Sequence, residues 1–524
     1  MHEVCAPELL MNFSGAIKRH SFAILVLIGV LARVTALNQP LIDAALLRQC
    51  QTAYATNEMM RTPGFLITTP MPWHGDSGAR LVQEIPTYNY LVVAVNSVVR
   101  NLDMSGRLTS VLLWALSFWL LQQIWRRLLQ PEEAVWANVL FVLSPLSNFF
   151  GQAFMPEMMV QVLAFGFLAV LLKYSESRRP ADFLLLAVLG GLGILQKAPE
   201  ISHLYLVAGV VFFSVHGWKL IRRPEVWLSL IVTAVLAKAW GGYMDSVNAA
   251  GAVELTSKNM LHSSIGTLGD RLGLHFYRRI AGYVGIFLIT PVCLPFIIVG
   301  LHRMMRERRH MVAWSWVASL VFFYQVWGPG LAGEHTYYNL PALGPACLLF
   351  GIGVVRFQRW LRNRVASVSS RRWIGAALAL AALPCPVVAT AYLYMQDRLI
   401  YDCARWLGRN TGPEENIIFI GGHRPDFVNF PHVATVPYYA KRSVWVWCER
   451  LGVENKQKAL EASQWAVTTE PPENTSAMEL WRRRLKNEAI HTHPDMGWLA
   501  TAGFREHYRG NGFTVYRKTG SAGL

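Results

Sequence analysis

The chain alternates long apolar runs with short polar, basic segments. Runs of near-membrane length fall at about 21–37, 107–123, 134–150, 158–173, 181–196, 202–216, 225–241, 280–302, 311–328, 340–356 and 373–395. A helix rises about 1.5 Å per residue, so crossing about 30 Å of hydrocarbon takes about 20 residues. The pattern therefore predicts a polytopic α-helical membrane domain over residues 1–395 with about eleven transmembrane helices. After residue 395 the pattern changes. Strand-like runs ("NIIFIGG", "VATVPYY", "SVWVW", "FTVYRK") alternate with polar helix-like stretches ("KQKALEAS", "SAMELWRRRLKNEA"), which predicts a small α/β domain over 396–524.

Composition agrees: 53% of residues are hydrophobic and 16% charged, too apolar for a soluble protein of this length. The net charge of +16 would otherwise suggest a nucleic-acid partner, but the Lys and Arg sit in short clusters between the apolar runs. Such clusters set topology. With the N-terminus inside, the inner segments include "RMMRERRH" at 303–310 and "FQRWLRNRVASVSSRR" at 357–372, whereas the opposite loops, led by the long loop 38–106, are poor in basic residues. This orientation makes the N-terminus cytoplasmic and the C-terminal domain extracytoplasmic. The first twenty residues show no removable signal peptide, so the first span serves as its own anchor. The seven Cys show no metal-ligand spacing, and Cys403 and Cys448 alone share the C-terminal domain as candidates for a disulfide.

Ionisable and polar groups gather in the outer loops: Asp43, Arg48, Gln49 and Glu58, then His74, Asp76 and Glu84, then Glu157 in "FMPE", Lys197 and Glu200 in "QKAPE", and Glu334, His335, Tyr337 and Tyr338 in "GEHTYYNLP". Next to a membrane span such groups are costly unless they pair or line a cavity. Each also has a plain structural reading. Asp43 suits a helix N-cap. Glu157 after Pro156 suits a helix start facing the dipole. Arg33 and Lys197 suit snorkelling side chains, and His335 with its aromatics suits an interface belt. The loop 242–279, rich in Gly and Ser, has the composition of a mobile lid.

The order of these groups resembles the GT-C superfamily of membrane glycosyltransferases, which includes the protein O-mannosyltransferases and the lipid A aminoarabinose transferase. Leu47, Arg48, Gln49, Thr52, Ala53 and Asn57 occupy a first-loop "WRQ…TA" motif, and Glu84, Ile85, Pro86, Tyr88, Tyr90 and Leu91 an "EFPLY.YL" motif. Leu47 replaces the motif's Trp, no His precedes it, and Asp43 is followed by Ala44 where relatives carry a second acid. The resemblance implies the GT-C fold and an inverting transfer of a sugar from a polyprenyl-phosphate donor to a lipid, glycan or protein hydroxyl at the outer face of a bacterial inner membrane, with no nucleic-acid partner. It aligns Asp43 with the catalytic base, with Glu84 second. Arg48, Gln49, Lys197, His335, Tyr337 and Tyr338 would then hold the donor phosphate and sugar, with Arg33, His74 and Glu157 as further candidates. No spacing marks a dedicated metal site, and a divalent metal held through Glu84, Glu157, His74 or His335 stays open. Two other classes fit a polytopic chain of this kind: a transporter or flippase of lipid-linked glycans, and a scaffold that kept the fold and lost activity. The outer-loop clustering and the lack of repeated halves speak against the transporter.

Overall fold

The structure, a computed structural model, describes residues 6–62, 67–250, 261, 264–307, 311–333, 335–396, 398–420, 434–447, 453–469, 497–510 and 513–519. The chain forms two compact units: Met1–Gln39, Gln83–Ser246 and Glu254–Tyr394 make the larger, and Pro40–Val82, Val247–Val253 and Met395–Leu524 the smaller. The division is thus not a single boundary near residue 395, because Pro40–Val82, most of the loop 38–106, groups with the C-terminal residues.

The larger unit is helical. It holds α1 (Ala6–Val34), while α2 (Leu46–Arg61) belongs to the smaller unit; then follow α3 (Thr87–Val99), α4 (Leu102–Leu128), α5 (Pro131–Leu143), α6 (Pro145–Phe150), α7 (Glu157–Ser177), α8 (Pro180–His216) and α9 (Pro224–Ala250). Among the described residues seven helices have the length and apolarity to cross a membrane, or eight when the bent pair Leu274–Leu288 and Pro291–Arg306 counts as one span. Three local effects separate this number from the eleven apolar runs. The apolar part of α1 is short, His20–Val34. The run at 134–150 breaks at Ser144, which leaves the helix so that its hydroxyl caps α6 ahead of Pro145. The runs at 181–196 and 202–216 are continuous in α8, broken by the extended backbone of Lys197 (φ −166°, ψ 84°) two residues before Pro199. A Cβ on Gly190 would lie 2.5 Å from Tyr205 Oη and one on Gly193 would lie 2.9 Å from Ile201, whereas a straight helix separates positions 190 and 205 by about 22 Å. The chain therefore doubles back at Lys197, and each run keeps its own arm.

Aromatic stacking fills the helical core, with Trp114, Phe118 and Phe141 at centroid distances of 5.1–5.7 Å from one another. Elsewhere backbones touch. A Cβ on Gly353 would meet Phe296 O at 1.8 Å and one on Gly300 would meet Leu349 O at 1.9 Å, so small residues set the crossing of helices Leu294–Glu307 and Leu343–Arg364.

The smaller unit contains a two-stranded ribbon, β1 (Thr69–Pro70) with β2 (Arg80–Leu81), and a five-stranded sheet in the order β4-β3-β5-β7-β6. Its strands are β3 (Asn416–Ile420), β4 (Val444–Val446), β5 (Ser463–Thr469), β6 (Phe504–Gly510) and β7 (Phe513–Lys518). β3 pairs in parallel with β4 and β5, and β7 runs antiparallel to β5 and β6. β3 is buried along its whole length, as its unbroken apolar run requires. "VATVPYY" is helical over Thr435–Ala440 rather than a strand; Pro437 fits a first helical turn, where its missing N–H costs nothing. Segment 73–75 lies on the β4 edge: Gly75 N–H donates to Val444 O at 2.8 Å and Val446 N–H to Trp73 O at 3.1 Å. Asn416 Nδ2 donates to Asp76 Oδ2 at 3.1 Å, and Leu41 N–H to Tyr439 Oη at 2.7 Å. The helix-like stretch "SAMELWRRRLKNEA", Glu334, Cys448 and much of the expected lid (residues 251–260, 262 and 263) lie outside the described residues; Cys403 is a buried free thiol.

Candidate active site

Two groups of polar residues emerge, one in each unit. In the helical unit Lys197 sits at the reversal of α8, where the break in helical geometry frees its side chain to turn inward. Its ammonium donates to both oxygens of Glu157 at 2.7 Å and lies 2.7 Å from Glu200 Oε1. Glu157 is the first residue of α7, as its Pro156 neighbour suggested, with its carboxylate at the positive end of that helix. Both carboxylates are fully buried and Lys197 is 10% exposed. The ammonium also stands over the rings of Tyr338 and Tyr337, 4.1 and 4.5 Å from their centroids. His335 stacks on Tyr337 at 5.3 Å. Five of the residues singled out in the sequence, Glu157, Lys197, Glu200, Tyr337 and Tyr338, thus meet at one point, with His335 one ring behind. Glu200, three residues after Lys197, sits on the next helical turn.

In the smaller unit Asp43 is 1% exposed and Gln49 wholly buried. The Gln49 amide donates to Asp43 Oδ1 and to Ala44 O at 2.9 Å. Asp43 is not a helix cap: α2 begins at Leu46, and the cap position is Ala45, in the left-handed conformation (φ 59°) without a side-chain cap bond. An Ala held there costs about 1 kcal/mol or more. Arg48 is half-buried and donates to Gln51 Oε1 at 3.1 Å.

The remaining candidates are dispersed. Glu84 is half-buried in the helical unit, ahead of α3, and the adjacent Ile85 N–H donates to Leu195 O at 3.5 Å; Thr87 hydrogen-bonds Gln196 next to Lys197. Arg33 is fully buried, its guanidinium 3.7 Å from the centroid of Trp114 and donating to Gly29 O at 2.8 Å and Ser147 Oγ at 3.2 Å. His74 stacks on Trp445 at the sheet edge, and burial lowers its pKa. Arg107, buried inside α4 against Gln152 and Gln39 O, went unnoticed in the sequence, where a lone Arg opening an apolar run was the available signal. Among the described residues no group of three or more His, Cys, Asp or Glu is arranged to hold a metal ion.

Residues 83–240 match the family Dolichyl-phosphate-mannose-protein mannosyltransferase. No curated protein sequence matches the chain significantly. Among solved structures, the chain is similar to ArnT from Cupriavidus metallidurans in the apo state, at 17% identity and a TM-score of 0.61, covering 95% of this chain and 98% of that one. It is also similar to the oligosaccharyltransferase AglB from Archaeoglobus fulgidus in complex with an inhibitory peptide and a dolichol-phosphate, at 12% identity and a TM-score of 0.56, covering 97% and 75%. At these identities the likeness is one of fold.

Proposed function

We propose that this chain, an integral membrane protein with the GT-C glycosyltransferase fold, moves a sugar from a polyprenyl-phosphate donor to a hydroxyl of a lipid, glycan or protein. The observation that carries the reading is Asp43: a buried carboxylate fixed by Gln49 beside a left-handed Ala45, at the place where the first-loop motif of that superfamily puts its acid. The relatives lend support through their names, a dolichyl-phosphate-mannose enzyme for the family match and a dolichol-phosphate complex for AglB.

In this mechanism the acceptor oxygen attacks the anomeric carbon as the bond to the phosphate oxygen breaks on the opposite side, which inverts the configuration. Asp43 takes the hydroxyl proton as the new bond forms. Its rigidity matters because a base acts through geometry first. Charge grows on the departing polyprenyl phosphate, and cationic donors lower the barrier by meeting it. By the order of the motifs Arg48 and Lys197 are the candidates for that task, Gln49, Tyr337, Tyr338 and His335 are candidates for holding the donor, and Glu84 is the second acid. Membership of both polar groups in one reaction rests on the order of the motifs along the chain. The basic inner loops support a cytoplasmic N-terminus, and with it transfer on the outer face of a bacterial inner membrane.

The test is sugar transfer by membranes supplied with polyprenyl-phosphate sugar. Asp43→Asn is expected to lower the rate at least a hundredfold at unchanged expression, in line with the ordinary worth of a general base. Full activity in that variant would remove Asp43 as the base.

A further inference from the structure

Residues 264–288 of the helical unit carry a charge pattern that sugar transfer does not use. Their one acid, Asp270, is spent on the short helix Leu268–Leu272, where it accepts from Thr267 N–H at 2.8 Å. Against it stand Arg271, Arg278 and Arg279, three arginines within nine residues. Arg278 and the nearby His275 are exposed and make no hydrogen bond, ion pair or ring contact among the described residues.

Two neighbouring spans fix the level at which this segment lies. Leu274–Leu288 and Pro291–Arg306 form a helical pair bent by 91°. Membrane helices tilt on average about 20° from the bilayer normal, so with Pro291–Arg306 crossing the membrane, Leu274–Leu288 runs along its plane, about 24 Å from Arg306. The next span, Met311–Trp327, starts from the same end and has 17 residues, or about 25 Å of rise. It delivers the turn Gly328–Ala332 to Phe276. A Cβ on Gly328 would lie 2.7 Å from that ring, and Gln325 Nε2 donates to Tyr277 Oη at 3.1 Å. Both routes put helix Leu274–Gly282 at the membrane end opposite Arg303–Glu307.

At about 100° per residue, Phe276, Ile280, Tyr277, Ala281 and Leu274 share an apolar arc of about 160°, and Arg278, His275 and Arg279 lie on the other side. Protein covers only part of the apolar arc: Phe276 is buried and Ile280 half-buried, whereas Leu274 is 63% exposed and Tyr277 and Ala281 are exposed as well. Leu268 and Leu272, four residues apart and so on one face, are 70% and 69% exposed. An apolar stripe with a basic flank, lying flat at the end of two spans, matches the boundary between acyl chains and headgroups. Arg278, which has no carboxylate of its own, is matched there by a lipid phosphate.

We propose that helix Leu274–Gly282 is a docking site for an anionic phospholipid. Leu274, Tyr277 and Ala281 rest against its acyl chains, and Arg278, with His275 beside it, holds its phosphate. The inference rests on the placement of the spans and not on the reading of the sugar donor.

The experiment extracts the full-length protein from vesicles of equal parts phosphatidylglycerol and phosphatidylcholine and counts the retained lipids by native mass spectrometry. The wild type is expected to retain phosphatidylglycerol in preference. Arg278→Gln should lower that preference about fivefold, the worth of one basic group near an anionic surface, while Arg278→Lys keeps it. Arg278 is exposed, so neither change should disturb folding, and an unchanged melting temperature checks this. The same preference in Arg278→Gln as in wild type overturns the proposal. With polyprenyl monophosphate added to the vesicles, a loss in Arg278→Gln confined to that lipid assigns the arginine to the donor and overturns the proposal too. A photoreactive benzoylphenylalanine in place of Leu274 gives the second readout: it should crosslink to phospholipid acyl chains, and crosslinks to protein alone would take the helix out of the membrane boundary.

Discussion

Asp43 differs from a surface carboxylate in what surrounds it. Its partner Gln49 is wholly buried and spends one amide on both the carboxylate and Ala44 O, so the acid, the turn and the first coil of α2 lock together. The sequence showed both residues in one motif; the left-handed Ala45 between them was not legible, because no Gly or Asn marks the position. Gln49 is a positioning residue in this scheme, and charge offers a way to test it. Gln49→Glu sets a second carboxylate beside Asp43, and two like charges in contact raise the pH at which the pair ionises fully. A base works in its ionised form, so the acid limb of the pH–rate profile should move upward by one unit or more, with activity partly restored at alkaline pH. A merely structural Gln49 predicts a uniform loss of rate with the limb unmoved.

At the scale of elements, the reversal of α8 and the edge of the sheet are the two places where local pattern and long-range packing part company. The reversal was readable, since "KAPE" interrupts an apolar run with a charge and a Pro. The edge was not: Trp73 and Gly75 meet Val444 and Val446 across about 370 residues of chain, and nothing in a loop's composition names its partner. His74, 8% exposed and stacked on Trp445, gives that joint a pH dependence. Burial holds its pKa below the ordinary 6.5, so the unfolded segment binds a proton before the folded one does. The stabilisation is complete above about pH 6.5 and is lost as pH falls through the depressed folded value. Tryptic cleavage at Arg80 should therefore accelerate between pH 7.5 and 5.5, after correction for the protease's own pH dependence. His74→Phe should abolish that acceleration. If the variant accelerates as much as the wild type, the joint owes its pH response to another group.

For the whole molecule, length and apolarity made the membrane class plain, and the order of loop motifs made the fold plain, because both are written along the chain. How the polar loops are shared between units was not, because it depends on pairings such as Leu41 with Tyr439 that only the folded chain brings about. The consequence is that residues 40–62 and 67–82 owe their order to the C-terminal residues: Leu41, the 73–76 segment and α2 all find partners in one unit with the sheet. A chain ending at Tyr394 leaves those partners out. Buried groups of this kind, among them Asp43, Gln49 and Trp73, would then face water, and each lost backbone bond at the edge forfeits about 1 kcal/mol. The truncated chain should still insert in the membrane, since its helical core is its own, but trypsin should cut it at Arg48 and Arg61 at least tenfold faster than the full-length protein. Sugar transfer should vanish with the loop's order. Equal cleavage of both chains would mean that the first loop holds its conformation without the sheet, and that the C-terminal residues serve some task other than fixing Asp43.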